Sequence, residues 1–538
     1  MKKKSPKNNQ LDKDNKIILQ IEQLKKNNLI NSYLGNKGYS IYKICLNHEI
    51  LDYIKKSLTV KPFTQNQSVE PNSFPVYMES EKKIYIPRFW GIKVFGPPKI
   101  VKITYGDNIN LIFNGSLREY QTTVLNAYLN SINFNVPEKN NQGNSSALIE
   151  LYTGSGKTIL ALKIVEQIKK KTIIFVQKTF LKNQWIERIQ QFLPNAKIGC
   201  IQGPIIDIDN KDIVIAMVQS ISMKTYPDTM FDSFGLSIYD EVHHMSSEIF
   251  SNCLKKCTTL YSLGLSATME RKDGLTHVFK MYLGDICYKN KAIQEQDNVL
   301  VKAIDYLDSD EEFSEVERDF RGIVKYSTMI SKLSNYEYRN IFILNVLENE
   351  LLINNNQQII LLAHNKSLLN YLYKAIIDRN IASVGYYIGG MKDADLKISE
   401  KKQIILATYQ MAAEALDIKS LTTLFLATPK TDIVQAVGRI LREKHSNPLV
   451  IDIIDKHDPF INQFAKRRSF YNEKNYKIIR TTNMKYIEYI KDIKKIDNYE
   501  NIDEKLYWNE IIKKTRQSKS KYIATLDIEE TGCLIKSI

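Results

Sequence analysis

Leu151-Tyr152-Thr153-Gly154-Ser155-Gly156-Lys157-Thr158 is the stretch whose reading decides the fold of this 538-residue chain. Ahead of it runs Ala147-Leu148-Ile149-Glu150, a short apolar segment of buried-strand length. Behind it runs Ile159-Leu160-Ala161-Leu162-Lys163-Ile164-Val165, whose apolar spacing suits a helix. Strand, glycine loop and helix together make Gly-Lys-Thr a phosphate cradle. Gly154 and Gly156 let backbone N–H groups turn inward, with Thr153 and Ser155 completing the loop, and the new helix adds its positive end. Lys157 supplies a point charge to the β- and γ-phosphate oxygens, and the Thr158 hydroxyl suits Mg²⁺. Leu151 replaces the first glycine of G-x-x-x-x-G-K-T, so context carries the reading rather than spacing. A glycine-rich turn before an ordinary helix is the plain alternative.

Length sets a prior of roughly three to four domains. Hydrophobic residues at 43% and charged residues at 25% fit a globular protein. The net charge of +15 and a pI near 9.1 favour a polyanionic partner, nucleic acid before acidic membrane. A lysine-, asparagine- and isoleucine-rich coding bias would produce the same charge. The basic start Met1-Lys2-Lys3-Lys4 lacks a following apolar core, so no secretory signal is expected, and no apolar run reaches membrane-spanning length. Six scattered cysteines without zinc spacing indicate free thiols in a reducing compartment, hence a cytoplasmic location.

Patterning divides the chain into six segments. Residues 1–30 form a flexible basic N-terminus with a short helix over Ile17–Leu24, and 31–114 form a small α+β accessory domain. In that domain helical spacing over Ile41–Ile54 gives way to strands at Lys83–Pro87 and Val101–Tyr105. Residues 115–290 alternate short apolar strands with amphipathic helices, which signals a parallel sheet covered on both faces. Residues 291–318 form a charged connector containing one strand-like piece, Val299–Ile304. A second α/β alternation fills 319–480, with strands at Gln358–Leu362, Ile404–Ala407, Leu421–Ala427 and Leu449–Ile454. Residues 481–538 form a charged extension, helical in places.

Asp240-Glu241-Val242-His243-His244 comes directly after the apolar run Leu236–Tyr239. A strand ending in Asp-Glu at the carboxyl edge of such a sheet lies beside the phosphate loop. There Asp240 holds Mg²⁺, through water, and Glu241 orients and deprotonates the attacking water. Ser266 and Thr268 of Gly264-Leu265-Ser266-Ala267-Thr268 offer hydroxyls that relay between the acids and the far side of the cleft. In Gln435-Ala436-Val437-Gly438-Arg439-Ile440-Leu441-Arg442, Arg439 and Arg442 stand one helical turn apart, placed to reach a γ-phosphate across an interdomain cleft. Solvated acids and a solvated basic helix face are the plain alternatives for each motif alone.

In this order the motifs resemble a superfamily 2 helicase motor over about Leu117 to Arg480. The resemblance implies two tandem RecA-like parallel-sheet domains with ATP and Mg²⁺ in the cleft between them. It implies that Arg118 and Gln121 of Leu117-Arg118-Glu119-Tyr120-Gln121 grip the adenine. Lys178 and Thr179 (motif Ia), Gln219 and Ser220 (motif Ib, with Met217 for the usual Thr) and Thr408 become nucleic-acid contacts. Asp417 of motif V, where Ala415 replaces glycine, becomes a nucleotide contact. Gln435 and His243 stand where DEAD-box proteins carry His and Asp, which is similar to the XPB-type group. His243 then couples the acids to Ser266 and Thr268. Ile86-Pro87-Arg88-Phe89-Trp90-Gly91, Phe95-Gly96-Pro97 and Phe113–Arg118 resemble the poxvirus transcript-release helicase and its relatives in other large DNA viruses and phages.

The resemblance implies a motor on DNA, favoured over RNA, moving 3′→5′ in transcription or repair. It also implies transcription machinery as a further partner and the host cytoplasm or virion as the motor's place. An RNA helicase of the same superfamily, the motor of a restriction or recombination assembly, and a nucleic-acid-binding scaffold with a silent ATP site are the alternatives. Trp90 and Trp185 are placed to stack on bases or to pack half-buried, and Lys466-Arg467-Arg468 to contact phosphate or water.

Overall fold

A computed structural model of the chain describes residues 6–63, 71–134, 143–152, 154–271, 273–290, 299–414, 418–441, 447–495 and 503–511. The N-terminal segment expected to be flexible contains a 21-residue helix, α1 (Pro6–Lys26). Ile17, Ile21 and Leu24 fall on one helical face, and Ile21 is buried against the core of the following sheets. The short pattern read over Ile17–Leu24 is thus the seam of a longer helix whose polar first turns carry no periodic signal.

The spacing read as helical over Ile41–Ile54 splits in two. Ile41 belongs to a strand, and the helix His48–Ser57 begins only where Asn47 caps it, its side chain accepting from the Ile50 N–H at 2.9 Å. The accessory sheet comprises β1 (Ser32–Gly35), β2 (Gly38–Tyr42), β3 (Met78–Glu79), β4 (Lys83–Ile86) and β5 (Ile100–Val101), in spatial order β3-β4-β2-β1-β5. Its inner face buries Leu34, Tyr39, Ile41, Ile84 and Ile86. The following helix α2 (Arg88–Phe95) explains the Pro87–Gly91 motif. Arg88 is buried and donates to the carbonyls of Gly143, Thr259 and Leu260, so it staples this sheet to the next unit. Burial pushes its guanidinium down to about 10. A Cβ on Gly91 would meet the Tyr39 ring at 2.5 Å, so the close approach of helix and strand requires glycine there.

Helix α3 (Glu119–Ser131) leads into an eight-stranded sheet. Its strands are β6 (Ser146–Glu150), β7 (Thr172–Val176), β8 (Ile198–Gln202), β9 (Ile205–Asp207), β10 (Ile213–Met217), β11 (Leu236–Tyr239), β12 (Tyr261–Ser266) and β13 (Ile286–Lys289). The order is β9-β8-β10-β7-β11-β12-β6-β13, parallel except for the β8–β9 hairpin. Helices α4 (Lys157–Ile168) and α5 (Thr179–Phe192) connect its strands. Central strands are apolar on both faces because helices cover both, as in Thr172–Val176, where every residue is buried. The strand that ends at Asp240 does not pair with the phosphate-loop strand, since β12 lies between the two.

The second eight-stranded sheet comprises β14 (Leu300–Tyr306), β15 (Ile359–Ala363), β16 (Val384–Tyr387), β17 (Ile404–Thr408), β18 (Thr423–Leu426), β19 (Leu449–Asp455), β20 (Lys477–Thr482) and β21 (Asn509–Glu510). Its order is β16-β17-β15-β18-β19-β14-β20-β21, with only the last pair antiparallel. Ile359, Leu361 and Ala363 feed one core and Ile360 and Leu362 the other, the period-two signature of a doubly covered strand. The strand-like piece assigned to the connector is β14, paired with β19 and β20 inside this sheet. The C-terminal extension likewise contributes β21 and the helix Asn483–Ile493, whose Tyr486, Tyr489 and Ile490 are buried. Among the described residues, no helix is long and apolar enough to cross a membrane.

A candidate nucleotide site between the two sheets

The glycine loop leaves β6 and enters α4 through two left-handed turns, Gly154 at φ 87° and Gly156 at φ 77°, a region other residues rarely occupy. Gly156 is also pressed by α3, since a Cβ there would lie 2.6 Å from the Gln121 amide nitrogen. That amide donates to Ser155 O at 3.1 Å and Gly156 O at 3.4 Å, while its oxygen accepts from Arg118 N–H at 2.9 Å. The Tyr120 hydroxyl donates to the Ser155 carbonyl as well. Gln121, expected to read an adenine, is therefore 3% exposed and engaged with the loop and its own helix start. Tyr120, quoted only as part of a motif, is a second brace on the same loop.

Lys157 stands at the first turn of α4, with Nζ 3.4 Å from Leu151 O and 3.9 Å from Glu241 Oε1. Glu241 has φ 46°, a strained left-handed conformation for a residue with a side chain. The strain turns its carboxylate back over the sheet edge, where Ser266 at the end of β12 meets it. Ser266 Oγ lies 2.8 Å from His243 Nδ1, 3.3 Å from Glu241 Oε2 and 2.7 Å from Thr268 O, and accepts from Thr268 N–H at 3.1 Å. One hydroxyl proton serves several acceptors, so its direction depends on the charge on Glu241 and the histidine tautomer. The intervening strand β12 thus puts the relay serine between loop and acids.

Asp240 is held by N–H donors. Trp185 Nε1 donates to Oδ2 at 2.9 Å and Glu241 N–H to Oδ1 at 3.0 Å. Burial, then repulsion from Glu241, raises its carboxyl to about 6. Burial also works against ionised Glu241, but the Lys157 ammonium, the largest opposing charge, helps hold that carboxyl below its ordinary value. Burial lowers both His243 and His244, the latter to about 4, so both rings stay neutral near pH 7. Trp185 is 1% exposed, so it does not stack on bases, and its indole orients an acid instead. Its place on α5 makes that partner unreadable from sequence.

From the second sheet, Lys419, Gln435 and Arg439 line the same cleft of about 560 Å³ as Gly154, Lys157 and Glu241. Arg439 does not lie on an exposed helix face. The helix is only Val434–Val437, and Arg439 lies beyond its end, buried, donating from Nε to Ala412 O at 2.9 Å. Burial pushes its guanidinium down to about 10, against the pull of Glu241 across the cleft. Arg442, Asp417 and Thr153 lie outside the described residues. Contacts between the two sheets run through α5. Glu187 pairs with Lys397 at 2.9 Å and the Asn183 amide donates to Asp393, both partners on α6 (Asp393–Ser399).

The expected strand contacts are scattered. Lys178 lines the nucleotide cleft and has its ammonium lowered by burial, whereas Thr179 next to it is exposed. Gln219 donates to Gln177 O at 2.8 Å and Ser220 Oγ accepts from Gly203 N–H at 2.9 Å, so both side chains are used internally. Thr408 ends β17, half-buried. Arg467, read as a phosphate contact or a solvated face, is neither, because it is buried and bonded through Nε and Nη2 to Asp452 at 2.8 and 2.9 Å. Among the described residues no cluster of three or more His, Cys, Asp or Glu side chains gathers as a metal cage. Asp240 and Thr158 instead suit an ion that keeps most of its waters and shares phosphate oxygens, the habit of Mg²⁺.

The chain is similar to known proteins named as helicases. Residues 114–271 match the family described as Type III restriction enzyme, res subunit. The chain is 33% identical over 538 aligned residues to a protein of Acanthamoeba polyphaga mimivirus provisionally named ATP-dependent RNA helicase L396, covering 94% of this chain and 99% of that one. It is 26% identical to the provisionally named helicase 161L of Invertebrate iridescent virus 6, over 69% of this chain and 85% of the relative. Among solved structures, S. cerevisiae Dbp5 bound to RNA and ADP BeF3 overlaps 69% of this chain and 96% of its own, with 13% identity and a TM-score of 0.45.

Proposed function

Because the chain belongs to the superfamily 2 helicases of large DNA viruses and is an ATP-dependent helicase, we propose that its cleft hydrolyses ATP to move the protein along a DNA strand. The observation that carries this reading is the convergence of Lys157 and Glu241 from the first sheet with Gln435 and Arg439 from the second on one cleft. In this reading residues 115–290 and 319–480 are the two motor domains, the second also drawing in β14 before it and β21 after it, and 31–114 an accessory domain. Gly154 to Thr158 hold the phosphates, with Lys157 as their point charge. Glu241, whose lowered carboxyl is ionised at neutral pH, orients the attacking water and takes its proton. Arg439 stabilises charge on the γ-phosphate from across the cleft. Asp240 and Thr158 would hold Mg²⁺, which neutralises phosphate charge when bound. Ser266, Thr268 and His243 pass the state of Glu241 to the rest of the molecule.

The finer assignment is DNA-directed 3′→5′ movement in transcript release or repair, in a cytoplasmic or virion setting. The Asp-Glu-Val-His box, Gln435 and the Ile86–Gly91 motif support it through their likeness to the XPB-type and poxvirus helicases. RNA is the second reading, favoured by the name of the mimivirus relative. ATP turnover measured with single-stranded DNA, duplex DNA, RNA or no polymer separates them. DNA stimulation at matched salt and length is expected. Stimulation by RNA alone replaces DNA with RNA, and turnover unaffected by every polymer removes the motor reading.

A further inference from the structure

The accessory sheet has an inner face that is fully packed and an outer face that no helix covers among the described residues. Strand register decides what the outer face shows. Tyr33 on β1 pairs with Ser40 on β2, which pairs with Tyr85 on β4, and Tyr42 pairs with Lys83 in the next row. Two half-buried tyrosines therefore flank a small serine, about 10 Å apart at two strand spacings. The slot between them, about 340 Å³, is lined by Tyr33, Asn36, Lys37, Lys83, Tyr85 and Lys102. The cations lie on the rings. Lys102 Nζ is 4.7 Å and Lys83 Nζ 5.1 Å from the Tyr33 centroid, Lys83 is 4.8 Å from the Tyr42 centroid, and Lys37 is 5.7 Å from that of Tyr85. Asp228 is the one acid among the described residues lining the slot, against three lysines, and it pairs with Lys37 at 2.9 Å.

We propose that this outer face is a second nucleic-acid site, binding a single strand by stacking bases on Tyr33 and Tyr85 as Lys37, Lys83 and Lys102 swing off the rings to meet its phosphates. Aromatic rings on an open sheet face with cations around them fit a strand whose bases are free to stack. A peptide or membrane surface of acidic charge would use the lysines but leave the rings without a role. The platform is also joined to the motor. Asn36 donates to Asp232 Oδ1 at 2.6 Å and Thr104 Oγ1 to Asp232 O at 2.6 Å, in the segment that leads into β11 and thence to Asp240. A strand held here would be anchored to the sheet that carries the phosphate loop.

The inference rests on the nucleic-acid reading of the cleft, but its test needs no ATP turnover. Fluorescein-labelled dT20 and U20 are titrated, without nucleotide, against the full chain and its variants. Tyr33→Ala with Tyr85→Ala should weaken binding by about 25-fold, or roughly fivefold per ring. The corresponding double Phe variant keeps both rings and loses only the Tyr33 hydroxyl that accepts from Lys83 Nζ at 3.1 Å, so it should retain most of the binding. Lys83→Ala should reduce the slope of log affinity against log salt by about 0.7. Equal losses on both oligomers assign the site to either sugar, and loss on one assigns it to that sugar. The proposal is overturned if the double Ala variant binds like wild type, or if the Phe variant loses as much as the Ala variant. Polymer-stimulated ATPase with tyrosine-independent binding sinks this site alone. Tyrosine-dependent binding without any stimulation sinks the motor and leaves the site standing.

Discussion

The two large sheets share an architecture and hold buried charge in opposite ways. At the end of β11, Asp240 and Glu241 sit beside each other, with N–H donors on Asp240 and Lys157 3.9 Å from Glu241. On β19 of the second sheet each buried acid grips its own guanidinium. Asp452 binds Arg467, and Asp455 binds Arg339 at 2.5 and 2.8 Å. The buried Lys302–Glu350 pair, at 2.8 Å, follows the same rule. The consequences for the charged forms differ in sign, since a raised carboxyl disfavours the charge and a raised guanidinium favours it. Asp240 is raised, while burial works against the Arg467 charge but Asp452 overcomes it and holds the guanidinium above its ordinary range. Arg439 on the second sheet is lowered by burial, with Glu241 across the cleft working the other way. Buried charges with a dedicated opposite partner hold a fold together. Those without one are poised for a ligand's charge.

The strongest way to break this contrast is to remove a dedicated partner. Arg467→Ala leaves Asp452 buried without its cation and should cost about 3–5 kcal/mol in a urea melt. A loss under about 1 kcal/mol, the range of an exposed pair, would mean that Asp452 relaxes into water and that the pair is not structural.

A smaller effect sharpens the other side. Trp185→Phe removes the N–H that favours ionised Asp240, so the carboxyl should rise above about 6. If the ionised acid is the working form, the acid limb of kcat moves to higher pH. The rate at about pH 6.5 should then fall by up to about tenfold, with little change at about pH 8.5. The stability sign is the reverse of a paired acid. A folded carboxyl that binds its proton more tightly than the unfolded one favours the fold at low pH and loses that contribution as pH rises from about 3.8 through about 6. An unchanged pH profile in Trp185→Phe would remove the indole from the site.

Much of the motor is legible in the sequence, for physical reasons. A glycine loop between strand and helix, and acids after an apolar run, are local patterns, and strands buried on both faces announce themselves as uninterrupted apolar runs. What stays hidden depends on register or on partners distant in sequence. Trp185 reaches Asp240 because α5 packs across β7 and β10, next to β11 in the sheet, and nothing in Gln184-Trp185 indicates that. Arg467 reads as one of three consecutive basic residues until Asp452 is seen beneath it. The Tyr33–Ser40–Tyr85 row needs the pairing of three strands before it exists at all. Helix α1 outruns its sequence signal because its first turns are polar, and β14 is masked by the charged segments around it.

The central claim is that the second sheet completes the nucleotide site through Arg439. Polymer-stimulated ATPase of Arg439→Ala, measured beside ATP affinity and a melting curve, tests it most directly. The account predicts a fall in turnover on the order of 10³–10⁵, with ATP affinity within about tenfold. Arg439→Lys should not restore turnover, since a point charge lacks the planar fork. Because Arg439 is buried and bonded to Ala412 O, some loss of stability is also expected, about 1–3 kcal/mol and below that of Arg467→Ala. Full stimulated turnover in Arg439→Ala, with or without that loss of stability, would contradict the account and return Arg439 to a structural role.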